Sequence, residues 1–398
     1  MGKRHIALTA SLTISALLYA EPVMASLTTA LAEQAAEQPH SAQMQDMLEP
    51  LSSQDLSLPD TAEPSENIMS ASNSNMHRKE LEIWGADHPL TVKFREQCLS
   101  ERNRKWIVQA LTRSVPYRPY IQQKLKELGL PSILQYLPIV ESYYNVHAVS
   151  YAGATGMWQF MANSMAPFLT KNTWYDERKD PWKSTDAALA KLSDNMKQFK
   201  DWPIAIAAYN CGSGAMSKVT RNNPGKDFWY LAEHGLLKSQ SAQYVPKLLA
   251  IADIIENAEY YGATEILEAD NLIRDKEIDD YDFITTKGMY SFAQIAQLSQ
   301  IEEAVIKMLN PAILRNCTPA RQEYTLRLPY GSSEGLEQKL EESGAPQDAI
   351  VYTVVQGDTL WGISRKYKLS VEDLCIVNNI REKDILKLKQ KLIIPVFK

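Results

Sequence analysis

The stretch over residues 130–159, LPSILQYLPIVESYYNVHAVSYAGATGMWQ, constrains this chain more than any other. Pro131 suits a first helical turn, and Ile133, Leu134, Leu137 and Val140 recur at helical spacing, so the segment reads as a buried helix. Its apolar run ends in one carboxylate, Glu141, followed by Ser142. Desolvation disfavours the charged form of an acid, so a lone carboxyl at the end of such a helix is expected to keep its proton toward neutral pH. A group of that kind can serve as a general acid. On this stretch alone the plainer alternative stays open, because most carboxylates at helix ends turn into solvent.

The residues downstream sharpen the reading. Ser150 and Gly153-Ala-Thr-Gly156-Met157-Trp158-Gln159 form a small-residue turn that runs into an apolar, amide-bearing segment, and Ala207-Ala208-Tyr209-Asn210-Cys211-Gly212 follows later. Glu141-Ser142, Gly156-Met157-Trp158-Gln159 and Ala208-Tyr209-Asn210, in that order, resemble the signatures of the lytic transglycosylases of the goose-lysozyme-like superfamily. Trp158-Gln159-Phe160 and Asp176-Glu-Arg-Lys-Asp180-Pro look most like its membrane-bound D-type branch.

The resemblance implies a lysozyme-like, all-helical catalytic domain that cleaves peptidoglycan glycan strands without a cofactor or a metal. It implies Glu141 as general acid and then base, and Ser150 as a hydrogen-bonding group near the reacting acetamido group. It gives Gln159 and Tyr209 the role of orienting the sugar or the acid, with a satisfied core polar group as the alternative for each. Met161 would line the cleft or pack in the core, and Tyr244, in Tyr244-Val-Pro-Lys247, would lie near the acid. Asn210 would hold the motif turn or touch sugar, and Ser142 would support the helix end. Before Tyr244 the family carries Glu-Thr where this chain has Gln240-Ser241. A two-carboxylate glycosidase needs a second acid, and the motifs supply one only; Asp176 to Asp180 reads as a charged, internally paired loop. A hydrolytic muramidase on the same fold and a non-catalytic wall-binding protein remain as alternatives.

The rest of the chain frames this domain. Residues 1–25 read as a signal peptide, with Lys3, Arg4 and His5 before an apolar core over 6–18 and Val23-Met24-Ala25 as a cleavage pattern. That core is short for a membrane span, and no cysteine follows it, the first being Cys98. An exported, periplasmic, cell-wall-associated protein is the expectation, with a retained anchor as the alternative. Residues 26–78, rich in Ala, Gln, Ser, Met and Pro, cannot bury enough apolar surface to offset ordering and read as a disordered tether. Helical periodicity with few strand signals places the catalytic domain over 79–262. The acidic residues over 263–282 read as a solvated linker. Residues 283–330 echo the order of motifs in the C-terminus, so they read either as a degenerate LysM-like copy or as an unrelated helical spacer, with a linker over 331–350.

At the end of the chain, Tyr352-Thr-Val354, Gly357-Asp358-Thr359-Leu360, Ile363, Leu374, Asn378 and Leu392-Ile-Ile-Pro395 resemble the LysM module, a small peptidoglycan-binding unit, over 351–398. Strand alternation at Tyr352 and Val354, a turn at Gly357-Asp358 and two short helices predict a strand–helix–helix–strand fold. The fold class is thus mainly α, followed by a small α+β (βααβ) module. Gly357, Asp358, Thr359 and Asn378 are the glycan contacts expected there. Residues 352–398 carry nine basic and five acidic side chains, a net of +4, whereas the whole chain is −6. A basic module on an acidic protein suits an anionic polymer such as cell wall, although solvated surface lysines would look the same. There is no dense basic patch with interleaved aromatics, so nucleic acid is not expected as a partner. The four cysteines and six histidines show no metal-ligand spacing, and no pattern calls for an obligate protein partner.

Overall fold

The computed structural model describes residues 77–396, apart from 275–279, 321 and 344–347. The expected signal peptide and all but the last two residues of the expected tether lie outside the described residues. Two compact units result, one of 77–169 with 181–274, the other of 170–180 with 280–396.

The first unit is all helical: α1 (Pro89–Cys98), α2 (Glu101–Ser114), α3 (Arg118–Leu128), α4 (Leu137–Ser142), α5 (Pro181–Phe199), α6 (Trp202–Cys211), α7 (Ser213–Asn222), α8 (Phe228–Glu233), α9 (Ser239–Glu256) and α10 (Thr264–Arg274). Local chemistry sets several boundaries. Asp201 caps α6 by accepting from the Ile204 amide at 2.7 Å, Asp227 caps α8 through Tyr230 at 2.8 Å, and Gly129 closes α3 in the left-handed region. The core is organised on α9, which packs against α1, α4, α6, α8 and α10. Val245, Leu248, Leu249, Ile251 and Ile254 are all buried, and a helix that is apolar nearly all round belongs in the middle of a domain. In α6 the small side chains of Ala205, Ala207 and Ala208 are fully buried and allow that helix to approach α5 and α9 closely.

One buried charge ties the chain's first described residues to this core. Asp253, on α9 and wholly buried, accepts from Arg78 Nε at 2.7 Å, Arg95 Nη1 at 2.7 Å, Tyr261 Oη at 2.7 Å and Asn257 Nδ2 at 2.9 Å. Two cations and two neutral donors together satisfy a carboxylate that could not be buried alone.

The acidic stretch after this core differs from its expected form as a solvated linker. It is largely helix α10, with Ala263, Ile266, Ala269 and Ile273 buried and the helix packed on α2. Two of the three acids on α10 are paired: Glu265 with Arg104 at 3.2 Å and Asp270 with buried Arg118 at 2.6 Å. The run of charge masked an apolar spacing of three to four residues.

In the second unit, β1 (Tyr281–Thr286) runs antiparallel to β2 (Tyr324–Pro329) with Ile284 opposite Leu326, and α11 (Phe292–Ser299) and α12 (Glu303–Leu309) lie between them in sequence. The pattern then recurs, with β3 (Asp348–Thr353) antiparallel to β4 (Lys391–Val396), Tyr352 opposite Leu392, and α14 (Leu360–Tyr367) and α15 (Val371–Asn378) between. An asparagine after or at the end of the second helix pins the closing strand in both copies. Asn310 donates to Ile306 O and Arg327 O at 2.8 Å each and accepts from Arg327 N at 2.9 Å. Asn378 donates to Leu374 O at 2.8 Å and Ile393 O at 2.7 Å and accepts from Ile393 N at 2.7 Å. Residues 281–329 are therefore a second βααβ unit and not an unrelated spacer. The linker expected over 331–350 is also replaced by structure: α13 (Leu336–Glu342) puts Leu336 and Leu340 into the first copy's core with Ile284, Phe292 and Leu326.

The two copies share an apolar cluster of Met289, Cys317 and Ala320 with Val377 and Ile393. Residues 170–180 complete this unit, with Asp176 N–H bonded to Ala312 O at 2.9 Å and Leu314 N–H to Trp174 O at 2.8 Å. The loop's charges pair internally, as Arg178 forks onto Asp176 at 2.9 and 2.7 Å. Among the described residues no helix is long and apolar enough to cross a membrane, and all four cysteines are free thiols.

Candidate active site

Glu141 sits in the last turn of α4. The helix read over 130–141 is broken in two, with Ser132–Tyr136 as a 3₁₀ turn before α4. Pro138 has no N–H to return to the Leu134 carbonyl, so the α-helix cannot extend backward through it. The end of α4 is abrupt. Tyr143 and Tyr144 are both left-handed, with φ of 53° and 60°, a conformation that costs of order 1 kcal/mol for each non-glycine residue. Hydrogen bonds hold it there: Tyr143 N–H to Ile139 O and Tyr144 N–H to Pro138 O, both at 3.2 Å, with the Tyr144 phenol donating to Gln135 O. Buried Ser142 donates to Met157 O at 2.8 Å, which is the supporting role expected of it.

That bond connects the acid to the Gly156–Phe160 segment, folded by bridges of Thr155 to Val149 and to Phe160. Trp158 is wholly buried and its indole N–H donates to Thr185 Oγ1 on α5 at 2.9 Å. The phenol of Tyr209, on α6, donates to Trp158 O at 2.9 Å. Tyr244, on α9, donates its phenol proton to Glu141 Oε1. The Glu-Ser, Gly-Met-Trp-Gln and Ala-Tyr-Asn segments, together with Tyr244, thus converge on one carboxyl group.

The electrostatics follow from this packing. Burial pushes the Glu141 carboxyl up to about 7, against smaller opposing effects of the Tyr244 hydrogen bond and the Lys191 ammonium. The residue as a whole keeps partial access to solvent. Burial, with Glu141 beside it, pushes the Tyr244 phenol well above its ordinary range, so it stays a donor. Tyr209 is raised in the same way and for the same two causes. With Oε1 accepting from Tyr244, the proton of neutral Glu141 belongs on Oε2.

The other expected residues fall into place unequally. Gln159 has a left-handed φ of 49° and its amide donates to Gly156 O at 2.8 Å, so part of its hydrogen-bonding capacity is spent on the turn. Ser150 Oγ accepts from the Ala154 amide at 3.0 Å and closes the preceding turn. Met161 is exposed rather than packed in the core. Asn210 Oδ1 accepts from Ser241 Oγ at 3.0 Å, so the serine that departs from the family pattern secures the motif asparagine.

In the C-terminal copy, Asp358 accepts from the Tyr352 phenol at 2.8 Å and the Val355 amide at 2.7 Å, and Thr359 caps α14 through Gly362 N–H at 3.0 Å. Gly357 takes φ of 89° at the turn. Asn378 is buried and its amide is spent on Leu374 O of its own helix and on Ile393 of the closing strand, so it shapes the module from beneath and does not present a polar group to a glycan. Exposed apolar side chains of this copy include Val355, Trp361, Ile385 and Leu388, which motif matching passed over. Lys389 adopts φ of 66°, the conformation glycine takes freely.

Residues 119–232 match the Transglycosylase SLT domain family, 352–395 the LysM domain, and 281–345 the family described as Lytic transglycosylase MltD, LysM-like domain. Over 312 residues, covering 74% of this chain and 67% of the relative, the sequence is 31% identical to membrane-bound lytic murein transglycosylase D of Escherichia coli K12. The chain belongs to the lytic murein transglycosylases. Shorter similarities reach a second branch: 31% identity to membrane-bound lytic murein transglycosylase C of Actinobacillus pleuropneumoniae over 27% of this chain and 33% of that protein. A protein described as a putative tributyltin chloride resistance protein, from Alteromonas sp. M-1, is 36% identical over 30% of this chain and 58% of its own length. For the transglycosylase family, Glu141, Ser150, Gln159, Lys191 and Tyr209 lie inside the region that the SLT match covers and Tyr244 lies beyond its end, while each LysM-type match covers most of one βααβ copy.

Proposed function

We propose that this chain is an exported lytic transglycosylase that cleaves the β-1,4 bond between N-acetylmuramic acid and N-acetylglucosamine in peptidoglycan and leaves a 1,6-anhydromuramic end. The observation that carries this reading is a single desolvated carboxyl, raised to about 7, with one oxygen held by Tyr244 and the other left to carry a proton. Glu141 Oε2–H passes its proton to the glycosidic oxygen as the C1–O bond breaks, and the substrate's own acetamido group stabilises the cation at C1. The resulting Glu141 carboxylate takes the proton of the muramic C6 hydroxyl, and O6 closes on C1. No water is consumed, and the acid is restored for the next turnover.

The common two-carboxylate hydrolases place a second carboxyl about 5–9.5 Å from the first, as nucleophile or as base for water. The motif residues supply one carboxyl only, and among the described residues its hydrogen-bond partner is the Tyr244 phenol, which suits the intramolecular route. Mass spectrometry of digested, purified sacculi tests the choice. Products lacking one water at the muramic end are expected; products ending only in reducing muramic acid would overturn the transglycosylase reading in favour of a muramidase.

The two βααβ units serve as wall-binding modules in this proposal. Lys389 N–H bonds Val354 O at 2.9 Å and Val354 N–H bonds Gln390 O at 2.8 Å, which brings the loops bearing exposed Val355 and Leu388 side by side. Changing Val355→Ser and Leu388→Ser together removes that apolar surface without touching the core. Retention on sacculi in a pull-down is expected to fall several-fold, with turnover of short soluble glycans unchanged. Undiminished retention would refute a glycan surface at these loops.

A further inference from the structure

Lys191 lies on α5 and has no counterpart among the motif residues. Its ammonium is 4.7 Å from the ring centroid of Tyr209 and 5.6 Å from that of Phe160, two rings that meet edge to face at 6.2 Å. Among the described residues no oxygen accepts a hydrogen bond from it, so the two π faces are its direct partners. The position relative to the acid is fixed through two successive carbonyls: Ser142, next to Glu141, is bonded to Met157 O, and Tyr209 to the adjacent Trp158 O. A half-buried cation and the acid are thus both tied to the 157–158 segment, the cation through Tyr209 and the acid through Ser142.

We propose that Lys191 is a positioning residue for Glu141, supplying a fixed counter-charge for the carboxylate that exists between protonation of the leaving oxygen and deprotonation of the attacking hydroxyl. The inference rests on Glu141 being the acid and base of the proposed reaction. Glu141 changes from neutral to −1 in the first half and back in the second, in surroundings that penalise the charged form. A cation held on aromatic faces near the carboxyl, without a hydrogen bond to it, favours the carboxylate electrostatically and leaves both oxygens to Tyr244 and the substrate. A direct salt bridge would occupy the oxygen that must exchange protons.

The interaction is mutual: burial lowers the Lys191 pKa and Glu141 opposes that shift, while burial raises the Glu141 pKa and Lys191 opposes it. The titratable groups facing this pair are Tyr244 on α9, Tyr209 on α6 and Cys211 at the end of α6, where Lys238 and Ser241 also act on the thiol. Burial raises both phenols and the Cys211 thiol, so they stay neutral through the range in which Glu141 titrates.

The test is the pH profile of kcat/KM on purified sacculi for the full chain, Lys191→Met and Lys191→Arg. Met keeps the side-chain stem on Tyr209 and deletes the charge; Arg keeps both. The alkaline limb reports the ionisation of Glu141 in the free enzyme. It is expected to move upward in Lys191→Met by about half a pH unit or more, with kcat several-fold lower, and to stay near the parent's position in Lys191→Arg. An unmoved limb in Lys191→Met, or the same displacement in both variants, overturns the proposal. Glu141→Gln run alongside separates the two ideas: if that variant remains active, the assignment of Glu141 itself has failed, whatever Lys191 does.

Discussion

Replacing Glu141 with Gln is expected to remove glycan cleavage and to make the folded protein more stable at alkaline pH. Gln cannot donate or accept a proton in the reaction, and the same residue is asked to do both. General acid or base assistance is worth about 10² to 10⁴ in rate, so a loss of at least about 10³-fold in kcat is the expectation, with binding to sacculi unchanged. Activity at the parent level would defeat the assignment. The stability change has the opposite sense and a definite pH window. The carboxyl is raised from an ordinary 4.5 to about 7 in the folded state, so the native protein holds the proton more tightly than the unfolded chain between those values. Over that window the parent loses stability as pH rises; above about 7 the loss is complete, reaching about 3 kcal/mol at 1.36 kcal/mol per unit. A neutral Gln still accepts from the Tyr244 phenol and carries no such penalty. Denaturant unfolding at pH 5 and pH 8 checks this, with the variant's advantage expected at pH 8 and much reduced at pH 5. An equal difference at both values would show that Glu141 does not titrate in this range.

The second large effect is expected at Asp253→Ala. This carboxylate is wholly buried and receives four donors, two of them the guanidinium groups of Arg78 and Arg95. Removing one member of a buried ionic network strands its partners, which costs about 3–5 kcal/mol. The loss should appear in equilibrium unfolding and, locally, as faster amide hydrogen exchange over 77–98, the part of the chain that the two arginines attach to α9. Asp253→Asn keeps the shape and some of the acceptors and should recover a fraction of the loss. A change below about 1 kcal/mol in Asp253→Ala would mean that water replaces the network freely.

Much of this was legible along the chain because local pattern carries it. The apolar spacing before Glu141, the ordered Gly-Met-Trp-Gln and Ala-Tyr-Asn segments and the turn chemistry at Gly357 and Thr359 are short-range features, and each marks a real element. The paired asparagines Asn310 and Asn378 show why the internal repeat could be suspected from motif order: each must complete the same three hydrogen bonds. Local pattern also misled where packing overruled composition. The acid-rich stretch that became α10 looked solvated because its buried Ala263, Ile266, Ala269 and Ile273 are outnumbered in sequence by polar neighbours. Leu336 and Leu340 looked like linker until a core was present to receive them.

The residues proposed to bear the chemistry could be singled out one by one from residue order, since a lone carboxyl after an apolar run and a tyrosine in a fixed motif are properties of the chain. How far the Glu141 proton is held, and by what, was not. The desolvation that raises the carboxyl, the Tyr244 phenol reaching it from 103 positions away, and the Lys191 cation seated on Tyr209 exist only when α4, α5, α6 and α9 are packed together. Dielectric surroundings and long-range hydrogen bonds are sums over neighbours in space, and no spacing along a sequence contains them.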